Sequence, residues 1–599
     1  MGTVRFAMTR KTPPAPAPAA TPASPGRRRL FLVITLLVPL LLAAAAEGVL
    51  RLAGIGALEP LFVQVEAAPG FLQPNPHAVQ RFFPDPRRAP AVSIDTTWFP
   101  AAKAPGTLRI FVQGESSAAG FPYGRWASPA ALLQQRLQRT YPDRNVEVIN
   151  TGMAAVTSYV LLDFADEIIA QQPDAVVIYT GHNEYLGIGG VGSSLASARA
   201  PTLARSIATL RRLHLYRSLE RVLASLGRAG DPLAAREGTL MSRVAAERSI
   251  PFGSPLYERG LVQFRGNLER LLQRYRAAGV PVFIGTLASN ERDQPPFASA
   301  PPEAGEDSAL VRFERARTLE DEGDYAAART EYLAASDRDE LRFRAPQAFN
   351  AVIRETAAAT GATVVDVQRA FAAASSHGII GAGLMLEHVH PNLEGYFQLA
   401  IAYFPGLVQW AGPATFVVDD ATARREIPVT EVDRLSGEYR VLMLKSDWPF
   451  VPKRRPTTLP ASKTRIEVIA QSWFAGHLTW ADAMKEALAT YQQDSNHVEA
   501  ARVAVNLADA FVNAAEPQYT AGRLLLRAEQ AERGLHFLRR AVAIDETKVE
   551  YRLSLAQAQF MLGRPDESIA TLLAILERHP EDSRAKYWLD EMRRAAQSR

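Results

Sequence analysis

Apolar segments with the length of β-strands alternate with amphipathic helical segments along the middle of this 599-residue chain. Connections long enough to hold a helix join parallel rather than antiparallel strands. The expected fold class is therefore α/β, with a parallel sheet covered by helices on both faces and functional residues at the carboxyl ends of the strands. The predicted strands are Leu108–Gln113, Val146–Ile149, Ala175–Thr180, Pro281–Leu287 and Ala362–Val367, and the predicted helices are Pro129–Tyr141 after the cap Ser128, Leu161–Gln171 after the cap Ser158, and Phe264–Ala278.

The first predicted strand ends in a serine-containing turn, Gly114-Glu115-Ser116-Ser117-Ala118-Ala119-Gly120. Its small residues permit a tight passage from strand to helix, which places Ser116 at the carboxyl end of the strand. Free backbone N–H groups and a helix N-terminus at such a turn stabilise negative charge. This is where acyl transfer needs its nucleophile, although glycine and serine turns are also common at sites without function.

Two further segments follow predicted strands and carry hydrogen-bond donors. Asn150-Thr151-Gly152 ends the second strand, and Gly181-His182-Asn183-Glu184 ends the third. The N–H of Gly152 and the side-chain amide of Asn183 are groups that can bind an oxyanion. Taken alone, each segment is better interpreted as an ordinary strand-ending turn.

A fourth segment, Glu387-His388-Val389-His390-Pro391-Asn392, supplies an acid and a base. Glu387 lies three residues before His390 and can reach its Nδ1–H, which holds the imidazole in the tautomer that accepts a serine proton on Nε2. Glu387, His388 and His390 are also possible metal ligands. We disfavour a metal site because no other cluster of His or Asp in the sequence supplies a matching set of ligands.

Together the four segments resemble, in order, the four sequence blocks of the SGNH (GDSL-type) hydrolase superfamily, over about residues 105–190 and 255–405. The resemblance implies a flavodoxin-like three-layer α/β fold and an esterase with neither cofactor nor metal. Matched residue by residue, Ser116 is the nucleophile, His390 is the general base and then acid, and Glu387 orients His390. The oxyanion hole implied is formed by the N–H groups of Ser116 and Gly152 and by the amide of Asn183.

The chain departs from the family pattern by carrying glutamate where the blocks have aspartate, at Glu115, Glu184 and Glu387. We expect the first two to hold loops by hydrogen bonds. Glu387 adds a methylene to the third member of the triad, which can still orient His390 if its loop shifts slightly. The His-Val-His sequence also resembles a membrane-anchored branch of the superfamily that bears tetratricopeptide (TPR) repeats.

The N-terminal region predicts a membrane anchor. Residues 1–29 hold six Arg or Lys and no acid and form a predicted disordered cytoplasmic tail, and Leu30–Ala46 has no charge. Basic residues before an apolar span place the N-terminus in the cytoplasm, so residues 30–52 are expected to form a single-pass anchor with the catalytic domain outside the cytoplasmic membrane, in the periplasm. A cleaved signal peptide or a buried helix remains an alternative. Beyond the tail, 61 basic residues face 63 acidic ones, which predicts no nucleic-acid partner.

The C-terminal region predicts helical repeats. Asp566–Pro580 repeats the spacing of Glu532–Glu546 at 34 residues, the period of TPR motifs. The expected domains are a hydrolase at 100–412 with a TPR-like insert at 306–345, a connector at 413–455, and a TPR-like α-solenoid at 456–599. Such solenoids present concave surfaces, so a protein partner is possible there. The alternative is amphipathic helices that merely pack on the hydrolase.

These expectations combine into one functional hypothesis. Anchored relatives in the resembled superfamily act on acylated envelope glycans and lipids, so the expected activity is cleavage of O-acyl esters in that class of substrate. An O-acyltransferase remains open, because the triad is shared and only the acceptor pocket differs. A non-catalytic TPR scaffold with a degenerate hydrolase fold is the alternative from another class. The chain has no cysteine, which excludes disulfides and thiolate chemistry.

Overall fold

The computed structural model describes residues 25–83, 89, 92, 94–193, 210–226, 240–301, 307–414 and 416–597. The chain divides into two compact units. The smaller consists of Met1–Leu58 and Ala208–Gly227, and the larger of Glu59–Ile207 and Arg228–Arg599.

The larger unit contains two sheets. A small antiparallel sheet is formed by β1 (Phe62–Gln64), β2 (Phe71–Pro74) and β3 (Phe99–Pro100). The second sheet is parallel, with the order β5-β4-β6-β7-β8, which is the flavodoxin-like order. The predicted α/β class and all five predicted strands are therefore confirmed, with ends that differ by up to two residues. The strands are β4 (Leu108–Gly114), β5 (Val146–Asn150), β6 (Ala175–Tyr179), β7 (Val282–Gly285) and β8 (Thr363–Val365).

Helices cover both faces of the parallel sheet. On one face, Pro255–Ala277 packs between Ser158–Ala170 and Gln347–Thr360. On the other face, Leu393–Ala411 packs against Pro129–Thr140 and Val367–Ala373. This arrangement is the three-layer architecture that the sequence predicts. Short helical turns complete this region at Ala78–Phe82, Ser116–Ala119, Arg125–Ala127, Leu240–Val244 and Ser376–Gly378.

Two of the predicted helices begin earlier than expected. The helix predicted at Leu161–Gln171 begins at Ser158, and Thr157 occupies the N-cap position that we assigned to Ser158. The helix predicted at Phe264–Ala278 begins at Pro255, after Ser254, whose Oγ accepts a hydrogen bond from the Tyr257 N–H at 3.2 Å. Ser128 caps its helix as predicted, because its Oγ accepts from the Ala131 N–H.

The insert between β7 and β8 is a helical hairpin. Ala309–Asp321 and Tyr325–Arg338 pack against each other within the predicted range 306–345, whose first residue lies outside the described residues. A small apolar core built on Phe313, Tyr332 and Ile379 joins the hairpin to the segment that precedes the fourth motif.

Successive antiparallel helices form the C-terminal region. The predicted connector 413–455 contains the helices Asp420–Arg425 and Glu431–Lys445. The second of these begins at a capping box of Thr430 and Asp433, and its residues Val432 and Tyr439 share an apolar core with Ile469 of the next helix. The remaining helices are Arg465–Phe474, Trp480–Gln493, His497–Ala510, Ala515–Arg527, Ala531–Ile544, Val549–Met561, Pro565–Arg578 and Ser583–Gln597.

In its described residues, the smaller unit contains two helices. Pro25–Leu52 begins five residues before the predicted anchor 30–52, and residues 1–24 of the predicted tail lie outside the described residues. Arg29–Leu52 has a mean hydropathy of 2.4 over its best window and is long and apolar enough to cross a membrane. His214–Leu226 packs against this helix.

Candidate functional site

The sheet brings three of the four sequence motifs together. Gly114 at the end of β4 pairs with Tyr179 at the end of β6, and Val112 pairs with Asn150 at the end of β5. The turns after these strands therefore leave the same edge of the sheet side by side. The turn after β4 continues as the short helix Ser116–Ala119, which starts with Ser116.

The fourth motif meets the first at the nucleophile candidate. Nε2 of His390 lies 2.7 Å from Oγ of Ser116, although the two residues are 274 positions apart in the chain. Leu393–Ala411 begins just after this loop, with Asn392 as its N-cap: Asn392 Oδ1 accepts from the Gly395 N–H at 2.9 Å. The predicted serine and histidine are thus in direct hydrogen-bonding contact.

Glu387 is fully buried and contacts two histidines. One carboxylate oxygen is hydrogen-bonded to Nδ1 of His390, and the other is hydrogen-bonded to Nδ1 of His388. The His390 backbone N–H also donates to the first oxygen, at 3.1 Å. The extra methylene of glutamate therefore does not prevent contact with His390. From the sequence alone, we considered His388 only as a possible metal ligand.

Burial sets the protonation of the two histidines. Desolvation lowers the pKa of His390 to about 3 and that of His388 well below its ordinary value. The Glu387 carboxylate acts in the opposite direction, because a negative charge next to an imidazole favours its protonated form. Burial therefore favours a neutral His390 in the resting state, which is the form that accepts a proton on Nε2.

Aromatic rings and a second serine fix the loop of residues 387–391, which we call the histidine loop. The ring of Phe121 packs 4.5 Å from that of His390, and Phe297 packs 5.3 Å from His388. Ser117 Oγ donates to the Val389 carbonyl at 3.2 Å, which ties the nucleophile turn to the histidine loop. Ser117 is thus hydrogen-bonded to a buried backbone carbonyl, whereas Ser116 contacts His390.

The three candidate oxyanion donors differ in how they are engaged. The Gly152 N–H donates to Asn150 Oδ1 at 2.8 Å, and Asn150 Nδ2 donates to the Ala118 carbonyl at 3.0 Å. Within the described part of the chain, neither the Ser116 N–H nor the Asn183 side-chain amide donates to another protein group. The structure therefore leaves two of the three donors available and pairs the third with a neighbouring side chain.

The two other glutamates of the motifs hold loops. Glu115 accepts from Thr180 Oγ1 at 2.9 Å, from the Gly181 N–H at 2.7 Å and from the Asn183 N–H at 3.1 Å, so it positions the turn that carries the Asn183 amide. Burial raises the pKa of Glu115 to about 8, against the effect of these donors.

Glu184 holds the helix after β5 in the same way. Its carboxylate accepts from Ser158 N–H at 2.9 Å, from Ser158 Oγ at 2.8 Å and from Gln263 Nε2 at 3.0 Å. Burial raises the pKa of Glu184 to about 7. The partner 26 residues away explains why Ser158 does not act as the predicted N-cap.

A buried polar segment after β7 supports the histidine loop from below. The Asn290 N–H donates to the His388 carbonyl at 2.9 Å, and Glu291 accepts from the Ile380 N–H at 3.2 Å. Arg329 of the helical insert donates to Glu291 at 3.1 Å. The insert is therefore linked through one buried carboxylate to the segment that leads into Glu387.

The metal alternative can be examined on the same residues. The ligand atoms of Glu387, His388 and His390 lie within 4.8 Å of one another, close enough to surround an ion. An ion bound to Nδ1 of His390 would require the hydrogen of that imidazole to sit on Nε2, which could then not accept the Ser116 proton. These residues can therefore either bind a metal ion or activate Ser116, but they cannot do both at once.

Comparison with known proteins identifies both domains. Residues 112–397 match the GDSL-like Lipase/Acylhydrolase family, and residues 525–588 match the tetratricopeptide repeat. No curated protein sequence matches the chain.

Several solved structures align with about half of the chain. TesA is 16% identical over 50% of this chain and 98% of its own, with a TM-score of 0.24. Axe2, an acetylxylan esterase from Geobacillus stearothermophilus, is 16% identical over 50% of this chain and 92% of its own, with a TM-score of 0.26. The acetyl xylan esterase AlAXEase is 13% identical over 50% of this chain and 100% of its own, with a TM-score of 0.27.

The family match covers all four motifs, and the repeat match falls within the C-terminal helices. The chain therefore contains a GDSL-like lipase/acylhydrolase domain at residues 112–397, which supports an ester-hydrolysing enzyme, and tetratricopeptide repeats within its C-terminal helices.

Proposed function

We propose that this protein is a membrane-anchored serine esterase that acts outside the cytoplasmic membrane on O-acylated glycans or lipids of the cell envelope. The observation that supports it most is the 2.7 Å contact between Ser116 Oγ and His390 Nε2, with Nδ1 of the same histidine on the buried Glu387 carboxylate. A nucleophile, a base and an orienting acid in this order activate a serine hydroxyl.

The proposed reaction has two halves. The Ser116 hydroxyl gives its proton to His390 Nε2 while Oγ attacks the ester carbonyl carbon, and the tetrahedral adduct collapses as the imidazolium returns that proton to the departing alkoxide. The acyl group then remains on Ser116 Oγ. A water molecule, deprotonated by His390, attacks the acyl carbon and releases the carboxylic acid, and the proton returns to Ser116.

Two donors are proposed to bind the oxyanion directly. The Ser116 N–H lies at the N-terminus of the short helix, and the amide of Asn183 is held on a turn fixed by Glu115. The Gly152 N–H can join them only by releasing Asn150 Oδ1, its partner at 2.8 Å. An oxyanion is a stronger acceptor than an amide oxygen, which favours that exchange as charge develops.

The substrate class and the location belong to the proposal. The apolar helix Arg29–Leu52 and the basic residues before it support an anchor with a cytoplasmic N-terminus. An enzyme held at that surface meets envelope polymers and lipids rather than soluble cytoplasmic esters. The same acyl-enzyme would acylate a sugar hydroxyl in place of water, so an O-acyltransferase is the second candidate.

The experiment that tests the proposal labels the active serine. Full-length protein in detergent is treated with a fluorophosphonate probe and assayed on a short-chain aryl ester, with Ser116→Ala, His390→Ala and Ser117→Ala in parallel. Labelling and hydrolysis should disappear in the first two variants and survive in Ser117→Ala, since Ser117 faces the Val389 carbonyl. Activity lost to a chelator and restored by zinc would instead support the metal site, and folded protein that neither labels nor turns over would support the scaffold.

A further inference from the structure

The second helix of the smaller unit exposes its apolar side. Leu219 is 55% exposed, Val222 is 53% exposed and Leu223 is 59% exposed. Residues spaced three and four apart share one face of a helix, so these side chains form a single apolar stripe. The residues Leu210 and Leu213, just before the helix, are exposed as well.

Charged residues occupy the sheltered side of the same helix. Arg217 is only 4% exposed, and Glu220 is paired with Arg211 at 2.7 Å. A helix on the surface of a water-soluble protein has the opposite arrangement, with its apolar stripe covered and its charges in water. The apolar stripe of this helix therefore suits a non-aqueous surrounding.

The helix is fixed to the end of the apolar span. The Glu47 carboxylate accepts from the Leu215 N–H at 2.8 Å and from the His214 N–H at 3.1 Å, so it caps the N-terminus of the helix. Nδ1 of His214 lies 2.9 Å from the Ile55 carbonyl oxygen. The helix therefore starts where the uncharged part of Arg29–Leu52 ends, which is the level of the lipid headgroups in a spanning helix.

We propose that His214–Leu226 is a membrane-interface helix, with Leu219, Val222 and Leu223 inserted among the acyl chains of the bilayer leaflet next to Glu47. The inference rests on the anchoring proposed above. Thirteen helical residues span about 20 Å, too short to cross the hydrocarbon core, so this helix lies along the surface.

The absence of native cysteine permits a direct test with single-cysteine variants. The full-length chain is reconstituted in nanodiscs, with an environment-sensitive fluorophore on Val222→Cys or Leu223→Cys. Val498→Cys is the matched aqueous control, because Val498 is 51% exposed on a helix of the larger unit. Leu36→Cys, in the middle of the apolar span, is the lipid control. Quenching is measured with brominated acyl chains and with aqueous iodide.

We expect labels at residues 222 and 223 to lose most of their fluorescence to brominated lipid and little to iodide, as the label at residue 36 does, while the label at residue 498 shows the reverse. Iodide quenching at 222 and 223, with lipid quenching at 36, would overturn the interface helix and leave the anchor intact. Protection from both quenchers would mean burial in protein and would also overturn it. Iodide quenching at residue 36 would overturn the anchor itself, and the interface helix with it.

Discussion

At the scale of single residues, Glu387 is notable because both of its oxygens are in use. One contacts His390 and the other contacts His388, whose own ring is packed against aromatic side chains. An aspartate orients one histidine from one side. The longer side chain here is clamped between two imidazoles, so His388 restricts the rotation of the carboxylate on which His390 depends.

The first prediction separates this hydrogen bond from simple packing. His388→Asn keeps a side-chain N–H near the position of Nδ1, whereas His388→Leu keeps the bulk and removes the donor. A hydrogen bond to a charged group contributes about 1.5–3 kcal/mol, so we expect kcat of the Leu variant to fall about ten- to hundredfold and kcat of the Asn variant to stay within about threefold of the wild type. The kcat of each variant is measured by steady-state kinetics on an aryl ester, and KM should change little. An equal loss of kcat in both variants would contradict the prediction and show that packing of the His388 ring, and not its hydrogen bond, supports activity.

A site residue can be predicted from the sequence where it belongs to a motif, but its hydrogen-bond partners cannot. The sequence predicts Ser116, Glu387 and His390, and the structure brings them together. It does not predict that Asn150 accepts from Gly152 or that His388 contacts Glu387, because these contacts depend on rotamers within a folded turn rather than on spacing.

At the scale of elements, buried carboxylates fix the turns that surround the nucleophile. Glu184 holds the start of Ser158–Ala170, and Glu115 holds the turn after β6. Each carboxylate has a raised pKa, about 7 for Glu184 and about 8 for Glu115, against an ordinary value of 4.5. The folded chain therefore keeps protons that the unfolded chain has already lost at neutral pH.

The second prediction follows from the sign of this shift. Because the folded state binds the extra protons, the free energy of unfolding falls as pH rises from 4.5 towards 7 to 8, by up to about 1.4 kcal/mol per pH unit for each proton. Glu184→Gln keeps an acceptor for Ser158 and cannot ionise, so its melting temperature should fall less between pH 5 and pH 8 than that of the wild type. Thermal melts of both proteins measure this. The exposed Glu577→Gln is the control and should follow the wild type; a Glu184→Gln curve parallel to the wild type would contradict the prediction.

Strands and helices were easier to predict from the sequence when they are long and have regularly spaced apolar residues. The five apolar strands of the parallel sheet follow from sequence, whereas β1, β2 and β3 have two to four residues each and give no periodic signal. The early start of Pro255–Ala277 has a sequence signal in Ser254-Pro255, which we did not use, and Gly260 lowers the helix propensity of this segment. Gly260 is present because a Cβ at that position would lie 2.2 Å from the ring of Tyr185.

Across the larger unit, the C-terminal helices pack against the turn that follows Ser116. Trp480 stacks on Trp126 with ring centroids 5.5 Å apart, and Arg440 donates to the Pro122 carbonyl at 2.7 Å. That turn also carries Phe121, whose ring contacts His390. The C-terminal helices and His390, the proposed base, are therefore joined through one short segment within the larger unit.

The third prediction tests this connection at Gly437, on the helix Glu431–Lys445. A Cβ there would lie 2.4 Å from the ring of buried Tyr123. Overpacking of this kind costs about 1–3 kcal/mol, so Gly437→Ala should lower the melting temperature and, by displacing the turn under Phe121, also lower kcat. Gly383→Ala is the control, since no atom lies within 4 Å of the added Cβ. A Gly437→Ala variant that is destabilised but fully active would show that the helical domain only stabilises the fold.

The separation of 274 positions between Ser116 and His390 has a consequence for how the enzyme is made. Synthesis delivers the N-terminal side first, so β4 to β7 emerge while the edge strand β8 and the histidine loop are still untranslated. A chain interrupted at any earlier point holds Ser116 without His390, which is its base in the mechanism that we propose. The helices from Glu431 onward arrive last, when the sheet is complete. By the proposed mechanism, ester hydrolysis therefore begins late in biosynthesis, only after the catalytic domain has been completely synthesised.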